Sequence, residues 1–540
     1  MKVSIIIPPW LHPTAPTLGP ACLAAFLKRE AKDAMIKVFD LNLRHYYQAF
    51  DYLKHGRIGL RLYNWDTIET TNRVINAFEF LKSHPFSSVK PERWHKQATI
   101  FLSFENIFNG FIEEMAARCL AGLELPQGID KYFQRLVDPV AKFRPDICAI
   151  SIFFDAQMLF GLAIAQIIKH LTGSFVCLGG ARFGTNPDPA RLFKKGITIK
   201  AKGKIKRIRE VSWVDAIIPG EGELPLYYLL KAAKSNKMHK IPGVIIQKNP
   251  GHFITDFPPS LNMNELPCPD FSDVPLGQYM VPSPVLPFMT SRGCAWGKCT
   301  FCTHHKIYKR YRQMNTDRAI EQIKELRDSY KVTYVNIFDE MIPPARFRRL
   351  SNAILQEKID ITFSAYAKPT KAFDKKLLNK IQKAGGRVML WGIESGSQEI
   401  LQLMKKGTKV EEMEQVLKNS SEAGIRNLVF IMFGFPGEAK DDFQMTIDFL
   451  QRNQKHIHAI SKGLFMLVEG CEAQKRPERF FIRNMKALPD NCGGARSFEF
   501  ETLKGLNPSE AASLYKKSLP IIERIGLSPR LAVYREHLLF

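Results

Sequence analysis

Residues 290–302 read TSRGCAWGKCTFC. Cys294, Cys299 and Cys302 fall at C-x4-C-x2-C spacing, directly after PFMTSR, a short apolar stretch that reads as a β-strand. Downstream the strand pattern recurs as VTYVNIFDE, ITFSAYAK, RVMLWGIES, RNLVFIMFGF and KGLFMLVEG, separated by helical stretches such as DRAIEQIKELRDSY and DKKLLNKIQKAG. Six β/α units in succession predict a partial (β/α)6, TIM-like barrel over 288–475, with reactive groups at the carboxyl ends of its strands. The cysteine loop occupies such an end. Three thiolates on one loop can ligate three irons of a [4Fe–4S] cluster and leave the fourth iron open. A zinc ion needs a fourth ligand, which His304 or His305 in CTFCTHH supplies.

Upstream, the chain opens on a strand, Val3 to Ile7, a helix from near Gly19, and a second strand, Ile36 to Phe39. Amphipathic, aromatic-rich patterns over about 44–138 then predict a helical insertion. DICAISIFF, FGLAIAQIIKHL, FVCLGGARFG and VDAIIPGEGELPLYYLLKAA resume the alternation. Residues 1–257 thus predict an α/β, doubly wound, Rossmann-like domain with its ligand edge at the carboxyl ends of the strands. The proline-rich stretch 258–287 reads as an extended linker, because repeated prolines deny both helix and central strand. Residues 476–540 read as a helical carboxy-terminal extension.

A chain of 540 residues is long enough for two or three domains. No apolar run reaches the roughly 18 residues of a membrane span. The opening MKVSIIIPPW is cut short by Pro8 and Pro9 and reads as a strand and not as a secretory signal, so a cytoplasmic location is expected. Ten cysteines are too sparse for a disulfide scaffold, and Cys22, Cys148 and Cys177 read as buried small hydrophobes. The excess of 77 Lys+Arg over 53 Asp+Glu is partly gathered in Lys194 to Arg209, KKGITIKAKGKIKRIR. It reads as a solvated loop, and with no nucleic-acid module beside it, nucleic acid is not an expected partner.

The cysteine loop resembles that of the radical S-adenosylmethionine superfamily, whose usual spacing is C-x3-C-x2-C with an aromatic before the third cysteine, here Phe301. The extra residue in the first spacer marks an unusual branch; longer spacers occur among peptide-modifying members. The resemblance implies a [4Fe–4S] cluster on Cys294, Cys299 and Cys302. Its open iron chelates S-adenosylmethionine, and one electron cleaves the sulfonium to a 5′-deoxyadenosyl radical. Asp339 and Glu340 in NIFDE resemble the acidic motif that holds the methionine ammonium. Glu394 and Ser395 in WGIESGSQEILQLMKKGTK resemble a recurrent cofactor-facing signature, and Gly434 in MFGFPGE lies where backbone passes adenine. Lys368, ending the third strand, can reach a carboxylate or ribose; the plainer reading is an exposed lysine.

The amino-terminal domain resembles the cobalamin-binding domain that precedes the barrel in one branch of the superfamily. The carried residues are Leu18 and Gly19 in PTLGPACLAAFL, Ser151, Gly179, Gly180, and Gly220 and Glu221 in PGEGE. The D-x-H-x-x-G motif is missing, and His12 reads as a loop histidine. The resemblance implies cobalamin-dependent methylation of an unactivated carbon. The alternatives are radical rearrangement, cyclisation or sulfur insertion, or a non-catalytic cobalamin or iron–sulfur sensor. Implied partners are an unidentified small-molecule or peptide substrate and a flavodoxin- or ferredoxin-like electron donor.

Overall fold

A computed structural model describes residues 1–55, 68–85, 88–126, 128–201, 204–235, 237–238, 241–248, 252–253, 256, 258–304, 307–308, 310–488 and 496–526. It contains two compact units, one built mainly from Met1–Leu261 and Glu265–Pro284 and the other mainly from Val285–Pro489.

The first unit holds β1 (Lys2–Ile7), β2 (Met35–Asp40), β3 (Ile147–Ser151), β4 (Phe175–Gly180), β5 (Ile197–Ala201), β6 (Lys204–Ile208), β7 (Ala216–Pro219), β8 (Ile245–Gln247) and β9 (His252–Phe253). Its main sheet runs β2-β1-β3-β4-β7-β8-β9. Pairing is parallel from β2 to β7 and antiparallel beyond it. The inner strands are almost wholly apolar and buried, as strands covered on both faces must be. Strand order reverses between β1 and β3, so a crevice is expected at their carboxyl ends.

Helices Leu41–Lys54, Ile68–Ser83, Pro91–Leu120 and Ile129–Phe143 separate β2 from β3, a slightly wider span than the insertion expected at 44–138. Their shared core is aromatic, with Phe50 and Phe78 rings 4.9 Å apart and Phe104 stacked on Phe108 at 5.3 Å.

Two stretches of this unit correct the sequence reading. The lysine-rich segment is not a plain loop: β5 and β6 form an antiparallel hairpin. Its Ile197 and Ile199 are buried, and that alternation outweighs the charge around it. The proline-rich stretch, expected as a linker, is strapped onto the first unit along 265–284. Lys28 Nζ pairs with Asp270 at 2.7 Å, Asp273 accepts from Val38 N at 3.1 Å, and Met280 N donates to Pro13 O at 2.6 Å.

The second unit contains β10 (Val285–Phe288), β11 (Ser291–Arg292), β12 (Arg312–Gln313), β13 (Tyr334–Ile337), β14 (Thr362–Ala367), β15 (Gly386–Glu394), β16 (Arg426–Phe433), β17 (Ala459–Leu464), β18 (Leu467–Val468), β19 (Ile482–Ala487) and β20 (Ser497–Thr502). The parallel sheet runs β10-β13-β14-β15-β16-β17, each strand beside its successor, as successive β/α units require. Phe288 pairs with Ile337 and Ile337 with Ala365, so the carboxyl ends lie level.

Boundaries shift at both ends of this sheet. The first strand is Val285–Phe288, while Ser291–Arg292 turns to pair antiparallel with Arg312–Gln313. The last is Ala459–Leu464, so KGLFMLVEG is split between it and β18. The extension expected to be helical contains two strands: β19 and β20 join β18 in an antiparallel sheet ahead of the helix Pro508–Ile522. The period-two alternation of SFEFET explains this. Residues 534–540, YREHLLF, lie outside the described residues.

Candidate active site at the carboxyl ends of the second sheet

The residues following β10 carry the three cysteines, and the loop is tied down at its middle. Thr300 N donates to Met404 O at 3.0 Å and its Oγ1 to Leu403 O at 3.1 Å, at the end of the helix Gln398–Leu403. Phe301 packs against the apolar cluster of Phe435, Phe465 and Phe480. This anchors the stretch between Cys299 and Cys302 while the thiols stay partly accessible. Among the described residues no three Cys, His, Asp or Glu side chains converge on a single metal ion. Thiols spread along a loop suit a cluster, in which each meets its own iron. His304 is exposed, with Nδ1 3.5 Å from Glu340 Oε2, and that carboxylate raises its pKa. His305 lies outside the described residues.

Beside the cysteines sits a charged group that the sequence reading only half found. Glu394 ends β15 with φ +69°, a strained value for a residue with a Cβ. Its Oε1 accepts from Lys406 Nζ at 2.8 Å, and both side chains are nearly buried. Gly392 leaves the room, since a Cβ there would collide with the Lys406 ammonium. Burial alone would lower the Lys406 pKa, but Glu394 and the thiols Cys299 and Cys302 hold it above its ordinary value. Burial pushes the Cys299 thiol up, Lys406 and Lys368 pull it down, and Glu394 and Cys294 push it up again. Lys368 follows β14; burial and the nearby Lys406 bring its ammonium down to about 8. Lys406 was missed by motif reasoning. The signal was present, because it stands within the WGIESGSQEILQLMKKGTK stretch, twelve residues after Glu394.

The other strand-end residues divide by what holds them. Asp339 is buried and accepts four hydrogen bonds, from Thr290 N and Oγ1 at 2.6 and 2.7 Å and from Ser291 N and Oγ at 3.1 and 2.7 Å. It therefore fixes the turn leading into the cysteine loop. Glu340, the next residue, is the partly accessible carboxylate. Ser395 is also buried, 3.2 Å from Thr446 Oγ1, and holds the helix Lys440–Arg452. Gly434 has φ +73° and donates from its N to Glu438 Oε2 at 2.5 Å.

Residues 288–450 match the model of the Radical SAM superfamily. Those residues form a radical SAM domain. Membership implies a [4Fe–4S] cluster and S-adenosylmethionine, and the donor set on 294–302 fits the cluster. The enzyme is 28% identical to an uncharacterized methyltransferase of Pyrococcus horikoshii, over 60% of this chain and 68% of that one. It is 24% identical to the 4′-phospho-dehydrooxetanocin synthase of Priestia megaterium, over 65% of this chain and 48% of that one. Thus the chain spans about two thirds of the first relative and about half of the second.

Two solved structures share the fold of this chain over most of its length. One is the cobalamin-dependent S-adenosylmethionine radical enzyme OxsB with aqua-cobalamin and S-adenosylmethionine bound. Its TM-score is 0.63 at 16% identity, covering 96% of this chain and 67% of that one. The other is the radical S-adenosylmethionine methyltransferase TsrM from Kitasatospora setae with cobalamin and a [4Fe–4S] cluster bound. Its TM-score is 0.60 at 14% identity, covering 98% of this chain and 89% of that one.

In the first unit, the residues expected as cobalamin contacts gather at one edge. Ser151 ends β3 opposite Gly179 of β4, Gly180 pairs with Pro219 of β7, and Gly220 and Glu221 follow. Leu18 and Gly19 begin the helix Leu18–Glu30, where a Cβ on Gly19 would lie 3.9 Å from Ser151 Oγ. His12, in the loop after β1, has Nδ1 2.7 Å from Glu105 Oε1, and the same oxygen accepts from Tyr46 OH at 2.7 Å. No described helix is long and apolar enough to cross a membrane.

Proposed function

We propose that this radical SAM enzyme methylates an unactivated carbon of a small-molecule or peptide substrate, with cobalamin at the carboxyl edge of the first sheet. The observation that carries the reading is the convergence of Gly19, Ser151, Gly179, Gly180 and Gly220 on that edge. Small residues there let a large flat cofactor approach backbone. These residues and Glu221 would hold it. The similarity to a methyltransferase and to two cobalamin-containing folds supports the same reading.

The cluster and S-adenosylmethionine, when bound, supply one-electron cleavage of a sulfonium, and cobalamin supplies a methyl carrier. The chain's own residues arrange the surroundings. Glu340 offers a carboxylate to an ammonium beside the cysteine loop. The Glu394–Lys406 pair offers a carboxylate oxygen and a cation that are already desolvated, so little reorganisation is needed on binding. The electron comes from a flavodoxin- or ferredoxin-like donor.

A second reading is radical rearrangement or ring formation without methyl transfer, favoured by the similarity to a dehydrooxetanocin synthase. Anaerobic reconstitution with iron, sulfide and hydroxocobalamin, then S-adenosylmethionine and reductant, separates the two. Methylation yields both 5′-deoxyadenosine and S-adenosylhomocysteine. Cleavage without S-adenosylhomocysteine favours rearrangement, and no 5′-deoxyadenosine from an intact cluster removes both.

A further inference from the structure

The four-residue spacer between Cys294 and Cys299 turns at Gly297, which has φ +60°. The turn lays Trp296 across residues 405–407. Its Nε1 donates to Lys405 O at 2.9 Å, and its ring lies so close to Gly407 that any Cβ there would collide with it. On the ring lies the Lys368 ammonium, 3.1 Å from the ring centroid and 3.4 Å from Lys406 O. The two lysines beside the cysteines therefore differ. Lys406 is neutralised by Glu394 at 2.8 Å. Lys368 is held by a π face and a carbonyl, and its charged neighbours are Lys406, the thiols Cys299 and Cys294, and Lys298. An aromatic face and a carbonyl position an ammonium without cancelling its charge.

We propose that Lys368 sets the reduction potential of the cluster and that Trp296 is its positioning residue. The inference rests on the cluster assignment to Cys294, Cys299 and Cys302. A [4Fe–4S] cluster on three thiolates is anionic and gains a further negative charge on reduction. A fixed cation nearby favours the reduced form, more strongly where the site is partly desolvated. The long first spacer thus brings its own electrostatic device.

The test is a redox titration of the reconstituted full-length protein, followed by electron paramagnetic resonance of the reduced cluster. In Lys368→Met the ratio of reduced to oxidised cluster at a fixed potential should fall about tenfold, a shift of about 59 mV for one electron. Lys368→Arg should stay near wild type. Trp296→Ala should shift the same way as Lys368→Met, and the double variant no further than Lys368→Met alone. Iron content at the wild-type level in Lys368→Met with an unchanged potential overturns the proposal, as does full additivity in the double variant. Wild-type protein that takes up no cluster shows instead that the underlying assignment fails.

Discussion

The two sheets present their carboxyl ends in opposite ways. In the second unit the edge is made of side chains that hold one another: Asp339 under four donors, Glu394 against Lys406, Lys368 on Trp296. In the first unit it is made of glycines and a serine, and backbone is what a ligand would meet. An edge of paired charges is preorganised for small polar groups and costly to disturb. A glycine edge suits a large cofactor and tolerates loss of any one contact, except where a Cβ strikes backbone.

The sharpest way to break the comparison is to remove a thiol from each unit. Cys299→Ala should abolish cluster assembly and S-adenosylmethionine cleavage. Cys177→Ala, in the buried core of the first sheet, should retain full iron content. Iron and sulfide analysis after reconstitution decides it. Equal losses in both variants would mean that the cysteine loop is not the cluster site.

Next in size is the charged pair. Lys406→Met leaves the Glu394 carboxylate buried without its partner, a change that costs about 3–5 kcal/mol when one member of a buried pair is removed. The unbound protein should melt several degrees lower. The double variant Lys406→Met/Glu394→Gln should recover part of that loss, since no charge is stranded. A double-mutant cycle by thermal unfolding measures the coupling. Near-zero coupling would show that the pair is not stabilising its edge.

The glycine edge separates fold from contact. Gly180 has φ +104°, and an added Cβ would collide with Ile152 O, so Gly180→Ala should destabilise the first unit by roughly 1–3 kcal/mol. Gly19 is exposed, and outside its own helix backbone and chain neighbours the described atom nearest its Cβ position is Ser151 Oγ at 3.9 Å. Gly19→Ala should therefore leave the melting temperature unchanged and weaken hydroxocobalamin binding by several-fold in an absorbance titration. Unchanged binding in a well-folded Gly19→Ala protein would remove that helix start from the cofactor edge.

What the sequence made legible follows the same division. Alternating strands and helices were readable because each β/α unit states its own period, and the cysteines because three thiolates at short spacing have few structural uses. The Lys194–Arg209 hairpin was not readable as a hairpin, since charge density masked the buried Ile197 and Ile199. Neither was the seating of residues 265–284, because prolines signal what a segment cannot form and say nothing of what it packs on. Asp339 and Ser395 carry the residue types of ligand-binding groups, yet their partners come from Thr290, Ser291 and Thr446, far away in the chain. Only the fold distinguishes a carboxylate that meets a ligand from one that holds a turn.

The smallest effect tests whether the charged edge extends to the end of β16. Glu438 is fully buried, and burial pushes its carboxyl up to about 8; Gly434 N donates to Oε2, while Oε1 has no partner among the described residues. The folded pKa lies above the ordinary value of 4.5, so the folded state binds more protons than the unfolded chain between these limits. Its contribution is thus fully favourable below about 4.5 and is lost as pH rises through about 8. Glu438→Gln keeps an acceptor for Gly434 N and cannot ionise. Its melting temperature should match wild type below about pH 4.5 and exceed it increasingly as pH rises toward 8. Parallel pH profiles for the two proteins would mean that Glu438 ionises freely in the fold. That outcome would confine the effect of burial on this edge to the groups around the cysteines.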